Sequence, residues 1–290
     1  MKEKWREIYS EDQIKKIQEL EMMNLKEIKR VCEILNIQFF LYGGSLIGAV
    51  RHKGFVPWDD DLDIAMLRKD YEIFIREAPK LLSNEFFLQN PLIDKKTPYF
   101  YTKLRLKDTK CIEWENHKLN IEQGIYVDIY PIDNLPTDDK EYLRMHSKFQ
   151  KWVRLFVLRQ CPYGSNRAKN LKARLKGVAR KIVSLALKTL SIKFYIKKIN
   201  SIMTAYNESD TGRYGNYSFP RPVNTFSEIT PFEKVLFNNV EVNLPKDWDG
   251  HLTRRYGNYM EFPPEEERIG HKPYVLDFGP YFKEKNNESI

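Results

Sequence analysis

Residues 41–66, LYGGSLIGAVRHKGFVPWDDDLDIAM, constrain the fold more than any other stretch of the chain. They set paired glycines, a short helix signal and four aspartates beside apolar strand candidates. Residues 37–42 read as a short buried strand ending at Gly43-Gly44, where missing side chains allow a tight turn and a close backbone approach to a ligand. Ser45 is expected to cap a helix over 46–51, whose N-terminal amides would seat a phosphate. Pro57 keeps 54–58 from continuing it. The alternation Asp61-Leu62-Asp63-Ile64 predicts a strand with both carboxylates on one face and both aliphatic side chains on the other. Asp59 shares the carboxylate face. Asp60 points the opposite way and reads as structural.

The flanking segments supply the frame. Apolar residues at three- and four-residue intervals, from Ile14 and Ile17 through Leu25 and Ile28 to Val31, predict an amphipathic helix over 11–36 with Ser10 as its N-cap. A helix is expected over 68–82 and strands over 86–89, 99–106, 111–114 and 124–130. The last carries Asp128 among apolar neighbours. Helical patterns over 140–158 and 169–200 follow, then an irregular final third with a strand pair around 234–244. At 290 residues the chain is long enough for one large domain or a core with an appended lobe. The expected division is a catalytic core over 1–136, a basic helical insert over 137–210, and a C-terminal part over 211–290 that completes the site.

Charge singles out the insert. Residues 142–207 contain sixteen Lys or Arg and no Asp or Glu, so a chain of net charge +8 is acidic outside this segment. Such a block suits an anionic membrane surface, an acidic glycan or nucleic acid. Two readings stay open: an amphipathic helix on the lipid headgroups, or a lobe whose apolar stripe packs on the core. The opening MKEKWREIYS has no apolar h-region, so no secretory signal is expected, and no run is apolar enough to span a bilayer. A cytoplasmic location is expected. Cys32, Cys111 and Cys161 are odd in number and never paired as CxxC, which suggests neither disulfides nor a zinc site.

Two aspartates on one strand, a third on another and a glycine-serine segment upstream are the parts of a metal-assisted phosphoryl or nucleotidyl transfer site. Asp61, Asp63 and Asp128 are the expected ligands and catalytic carboxylates, with Asp59 as a further ligand through water. Asp128 has a second role open to it, as the base for an acceptor hydroxyl. Arg51 and Lys53 follow the phosphate-facing helix, and Lys103 and Arg105 share one strand face and are candidates for a diphosphate. Favourable charge at a helix C-terminus explains Lys53 equally well, and a solvated strand face explains Lys103 and Arg105. Trp58, Trp114, Tyr126, Tyr130 and Tyr256 are candidates for an aromatic cage around a quaternary ammonium. His271 is a weaker candidate for closing the site.

The segment GGSLIGAVRHKGF, followed by PWDDD, Asp63 and, further on, VDIYPID at 127–133, resembles the signature of the LicD family of phosphorylcholine transferases, relatives of fukutin-related protein. Arg255-Tyr256-Gly257 and Phe262-Pro263-Pro264-Glu265 resemble the family's C-terminal end. The resemblance implies an α/β (α+β) fold: a nucleotidyltransferase-like mixed sheet flanked by helices, here with a basic helical insert. It also implies a magnesium-dependent enzyme, manganese being the alternative ion. The reaction implied moves phosphocholine or another phospho-alcohol from a CDP-activated donor such as CDP-choline. The acceptor implied is a sugar hydroxyl of a glycan or lipid-linked glycan, as in lipopolysaccharide, teichoic acid or capsule. The working place implied is the inner face of the plasma membrane, peripherally bound, with no nucleic acid partner. Two alternatives remain open: transfer of NMP to a small molecule or sugar, and a non-catalytic basic binding protein on the same scaffold.

Overall fold

The computed structural model of the chain describes residues 9–162, 171–209, 211–218, 223–268, 270 and 273–282. In chain order it builds α1 (Glu11–Leu35), β1 (Phe40–Leu41), α2 (Gly43–His52), β2 (Asp63–Leu67), α3 (Arg68–Glu77), β3 (Phe86–Gln89), β4 (Thr102–Leu106), β5 (Lys110–Ile112) and β6 (Tyr126–Asn134). Then come α4 (Asp139–Gln160), α5 (Leu171–Leu187), α6 (Ile192–Met203), β7 (Tyr214–Gly215), α7 (Phe226–Ile229), β8 (Glu233–Phe237), β9 (Val240–Leu244), α8 (Trp248–Tyr256) and β10 (Val275–Asp277). This is the expected mixed α/β architecture. The main sheet runs β1-β2-β6-β4-β3, with β7 added to β6. Its central pair, β2 and β6, is parallel, and its other pairs are antiparallel.

Local chemistry accounts for the helix ends. Ser10 and Gln13 form a reciprocal capping box at the start of α1, and Asn36 closes it in the left-handed conformation at φ 52°. Asp138, Ser191 and Asp247 cap α4, α6 and α8 through their side chains. The pattern over 169–200 is two helices rather than one, because Ser191 restarts the chain at α6.

One face of the sheet carries Ile64, Leu88, Leu104, Val127 and Ile129, which pack with Leu25 and Ile28 of α1 and Phe74 of α3 in the largest core. A separate core joins Tyr142, Phe149 and Phe156 of α4 to Tyr195 and Ile199 of α6. Arg68 at the start of α3 ties the two regions. Its guanidinium donates to both oxygens of Asp133 at 2.6 and 2.5 Å, and Asn207 donates to the same carboxylate at 2.7 Å.

Around the aspartates the structure departs from expectation. The helix begins at Gly43, not Leu46, with Tyr42 as an N-cap that makes no side-chain capping bond. Ser45 is therefore not a cap. The glycines form the helix's first turn, Gly43 at φ +59°. The strand begins at Asp63, so Asp61 lies in the loop before it. The strand expected over 124–130 runs instead over Tyr126–Asn134 and continues through Pro131, which stands opposite Met66.

Candidate active site

Strand register assembles the site. Asp63 on β2 stands opposite Asp128 on β6, Asp128 opposite Lys103 on β4, and Lys103 opposite Gln89 on β3. Residues directly opposite on neighbouring strands point to the same face. A polar row thus crosses the sheet on the side away from the main core. Lys103 Nζ donates to Asp128 Oδ1 at 2.6 Å, both groups being buried, and the Tyr130 hydroxyl donates to Asp128 Oδ2 at 3.3 Å. The main chain joins the row to its surroundings, with Asp128 N donating to Leu62 O at 2.9 Å.

The start of α2 abuts this row. Ser45 Oγ accepts from Asp63 N at 2.8 Å, and Tyr42 N donates to Asp63 O at 3.0 Å. A side chain at Gly43 would overlap Asp63 Oδ2, and a Cβ at Gly44 would come within 2.9 Å of Asp59 Oδ2. The two glycines are what admits these carboxylates against the helix N-terminus, whose partial positive charge favours anions. Asp61 is half-buried nearby. Burial raises the Asp63 carboxyl well above the usual range, and Asp61, Asp128 and Asp59 push it further, with Lys103 opposing them.

Glu21 of α1 joins the same ground, and the sequence reading passed over it. It is 1% exposed, and its Oε2 has no hydrogen-bond partner among the described residues. Burial, then Asp61, Asp60, Asp59 and Asp128, hold its carboxyl far above the ordinary value. A signal existed: Glu21 stands four residues after Ile17 and four before Leu25, in the row that α1 buries.

Other candidates lie elsewhere or are already engaged. Asp60 accepts from the Tyr9 hydroxyl at 2.6 Å and is buried, which agrees with a structural role. Arg105 is a correction: it is 1% exposed, and it donates to Gln89 Oε1 at 2.5 Å and Gly124 O at 2.7 Å. Its strand face is not solvated. Arg51 stands near the far end of α2, about 12 Å along the axis from Gly43 at 1.5 Å per residue. There it donates to the carbonyls of Tyr259 and Glu261 at 2.8 and 3.1 Å, which anchors the C-terminal segment and turns it from the phosphate seat. Lys53 is an exposed C-cap in the left-handed conformation, φ 56°. His271 lies outside the described residues.

The expected choline cage is dispersed. Tyr126 faces the protein's own cation, its ring centroid 3.5 Å from Lys103 Nζ, with Tyr99 and Tyr101 at 4.5 and 5.2 Å. Trp114 stacks on His117, and Trp58 sits against Phe262 and Arg268. Burial raises the Tyr256 hydroxyl pKa, Arg255 opposes it, and Asp63 and Asp59 add to the rise. Its neighbour Arg255 lies over Tyr42 at 5.7 Å, beside the start of α2.

The donor set suits a hard divalent cation. Asp128 pairs with the Lys103 ammonium, Asp63 stands opposite it on β2, and a Glu21 oxygen is unsatisfied among the described residues. Among the described residues, no three His, Cys, Asp or Glu side chains stand close enough to enclose an ion alone. Magnesium commonly takes one or two carboxylates and fills its shell with water and substrate phosphate.

Residues 36–170 match the family described as LicD/FKTN/FKRP, nucleotidyltransferase domain. This stretch is a LicD-family domain. It holds α2 and every aspartate of the polar row, while Glu21 and Arg255 fall outside the matched residues. The lipopolysaccharide cholinephosphotransferase LicD of Haemophilus influenzae is 28% identical over 271 residues, covering 89% of this chain and 97% of that protein. The ribitol 5-phosphate transferase FKRP of Mus musculus is 42% identical over 40 residues, 14% of this chain and 8% of its own length. The human FKRP matches to the same extent. Among the described residues of the chain, no helix is long and apolar enough to cross a membrane.

Proposed function

We propose that the chain transfers phosphocholine, or another phospho-alcohol, from a CDP-activated donor to a sugar hydroxyl of a glycan or lipid-linked glycan precursor at the cytoplasmic membrane face. The observation that carries this reading is the polar row Asp63–Asp128–Lys103, set against the start of α2 inside a LicD-family domain. The similarity to LicD over nearly its whole length favours a choline ester. In the reaction the acceptor oxygen bonds to the phosphorus bearing the alcohol, the bond from that phosphorus to the bridging oxygen breaks, and CMP leaves.

Asp61 and Asp63 would hold magnesium, or manganese, with water and the donor's phosphate oxygens completing its shell. When bound, the ion would neutralise charge on the donor's diphosphate. The amides of Gly43, Gly44 and Ser45 and the guanidinium of Arg255 bind phosphate oxygens. Lys103 fixes the Asp128 carboxylate, and Asp128 takes the proton of the acceptor hydroxyl. Ser45 holds Asp63 in place through its amide.

The test is product analysis with CDP-choline, CDP-ethanolamine, CDP-glycerol, CDP-ribitol and CTP, each with lipopolysaccharide or a lipid-linked glycan, with magnesium and with chelator. CMP together with modified glycan supports the proposal. Pyrophosphate from CTP would establish nucleotidyl transfer instead, the alternative that the domain's family description keeps in play. No product from any donor would favour the non-catalytic reading.

A further inference from the structure

Helix α5 is built inside out. At 100° per residue, Leu175, Val178, Ile182 and Leu185 fall on one face, and that face points to solvent at 62, 55, 64 and 71% exposure. The side turned to the protein is mixed, with Leu187 packed on the core of α4 and α6 beside polar groups. Ser184 is 2% exposed and donates from Oγ to Arg159 O at 3.1 Å, and Arg180 donates to Pro162 O at 3.3 Å. Arg174 and Lys181 run along one edge of the apolar face, both exposed.

Contiguous exposed apolar surface of this kind marks an interaction site. Three features choose its partner. Residues 142–207 hold sixteen basic and no acidic residues, so a second copy of this face would meet like charge. The helix sequence LKARLKGVARKIVSLAL has no aromatic residue on which a base could stack. An apolar face rimmed by Lys and Arg complements a surface that is negative outside and hydrocarbon beneath.

We propose that α5 lies flat on an anionic lipid surface, with Leu175, Val178, Ile182 and Leu185 entering the headgroup boundary and its basic rim on the phosphates. This deepens the functional reading, because it holds the chain where a lipid-linked acceptor resides. Its test involves neither donor nor acceptor, so the two can fail separately.

The experiment is flotation of the full chain with vesicles of phosphatidylcholine alone and of phosphatidylcholine mixed with phosphatidylglycerol, at low and high salt. The expected result is binding to the mixed vesicles, weakened by salt, and little to phosphatidylcholine. Ile182→Asp combined with Leu185→Asp should lower the bound fraction about tenfold or more while the melting temperature stays unchanged, since both side chains are exposed. As a second readout, Val178→Trp should shift its emission to the blue on mixed vesicles. Equal binding by the double variant, no preference for the anionic lipid, or no binding by the parent chain would each overturn the proposal. So would a parent dimer that the double variant converts to monomer, or nucleic acid binding that displaces the vesicles.

Discussion

Glu21 in α1 and Ile182 in α5 stand on amphipathic helices of the same general kind, yet the carboxylate is 1% exposed and the isoleucine 64%. Both reverse the usual distribution of charged and apolar side chains. Around the polar row the charges are inside: Lys103, Arg105 and Asp128 are nearly sealed from water. On α5 the aliphatic side chains are outside. The difference teaches that an inverted element points to a ligand. Buried carboxylates call for a cation and phosphate, and a helix with its apolar face outward calls for lipid.

The largest expected effect lies in the buried charges. Lys103→Met would leave Asp128 without its ion-pair partner in the sheet, at a cost of about 3–5 kcal/mol, measured by urea denaturation. A loss under about 1 kcal/mol would mean that Asp128 finds another partner or takes up a proton. The helix comparison itself comes next. Leu25→Ala on α1, at a fully buried position, should cost about 2–5 kcal/mol, whereas Ile182→Ala should stay within about 0.5 kcal/mol. Similar losses at the two sites would break the contrast.

Much of this arrangement was legible in the sequence, because periodicity is local. The bounds of α1 follow from its apolar spacing and the capping box at Ser10, and Phe86–Gln89 from its strand run. What stayed hidden depends on distant partners. Arg105 reads as a surface residue until Gln89 of β3 and the Gly124 carbonyl ahead of β6 arrive to satisfy it. The pairing of Asp63 with Asp128 is a matter of register between strands more than sixty residues apart. Tyr126 reads as a ligand cage until Lys103 fills it. For α5, periodicity gave the stripe but not the side it faces, since a helix wheel carries no information about what lies beyond it. The placement of Asp61 shows the opposite error: alternation extended the strand two residues too far, and the loop that holds Asp61 is set by contacts of residues 56–59 with Gln18.

Smaller effects depend on pH. Burial, with Arg255 and Arg254, lowers the His251 pKa to about 3, and its Nδ1 donates to Asn224 Oδ1 at 3.2 Å. An unfolded histidine takes up its proton near pH 6.5, whereas the folded one resists until about 3. Stability should therefore fall as pH drops through that window, by about 1.4 kcal/mol per pH unit from this group. His251→Asn should remove that part of the slope, and parallel pH profiles for variant and parent would contradict it. Glu21 has the reverse sign. Its raised pKa makes the folded chain hold a proton that the unfolded chain releases, so its contribution to stability declines as pH rises above the ordinary carboxyl range. Glu21→Gln should gain stability over the parent with increasing pH in metal-free buffer, and manganese should raise its melting temperature less. An undiminished manganese shift would place Glu21 outside the cation's reach.

The central claim is that the polar row under α2 moves a phospho-alcohol. The most direct measurement is CMP release from CDP-choline with a glycan acceptor and magnesium, comparing the parent chain with Asp63→Asn. The account predicts CMP and choline-modified glycan from the parent, and a loss of at least about a hundredfold in the variant at a melting temperature no lower than the parent's. Parent-like CMP release by Asp63→Asn would contradict it.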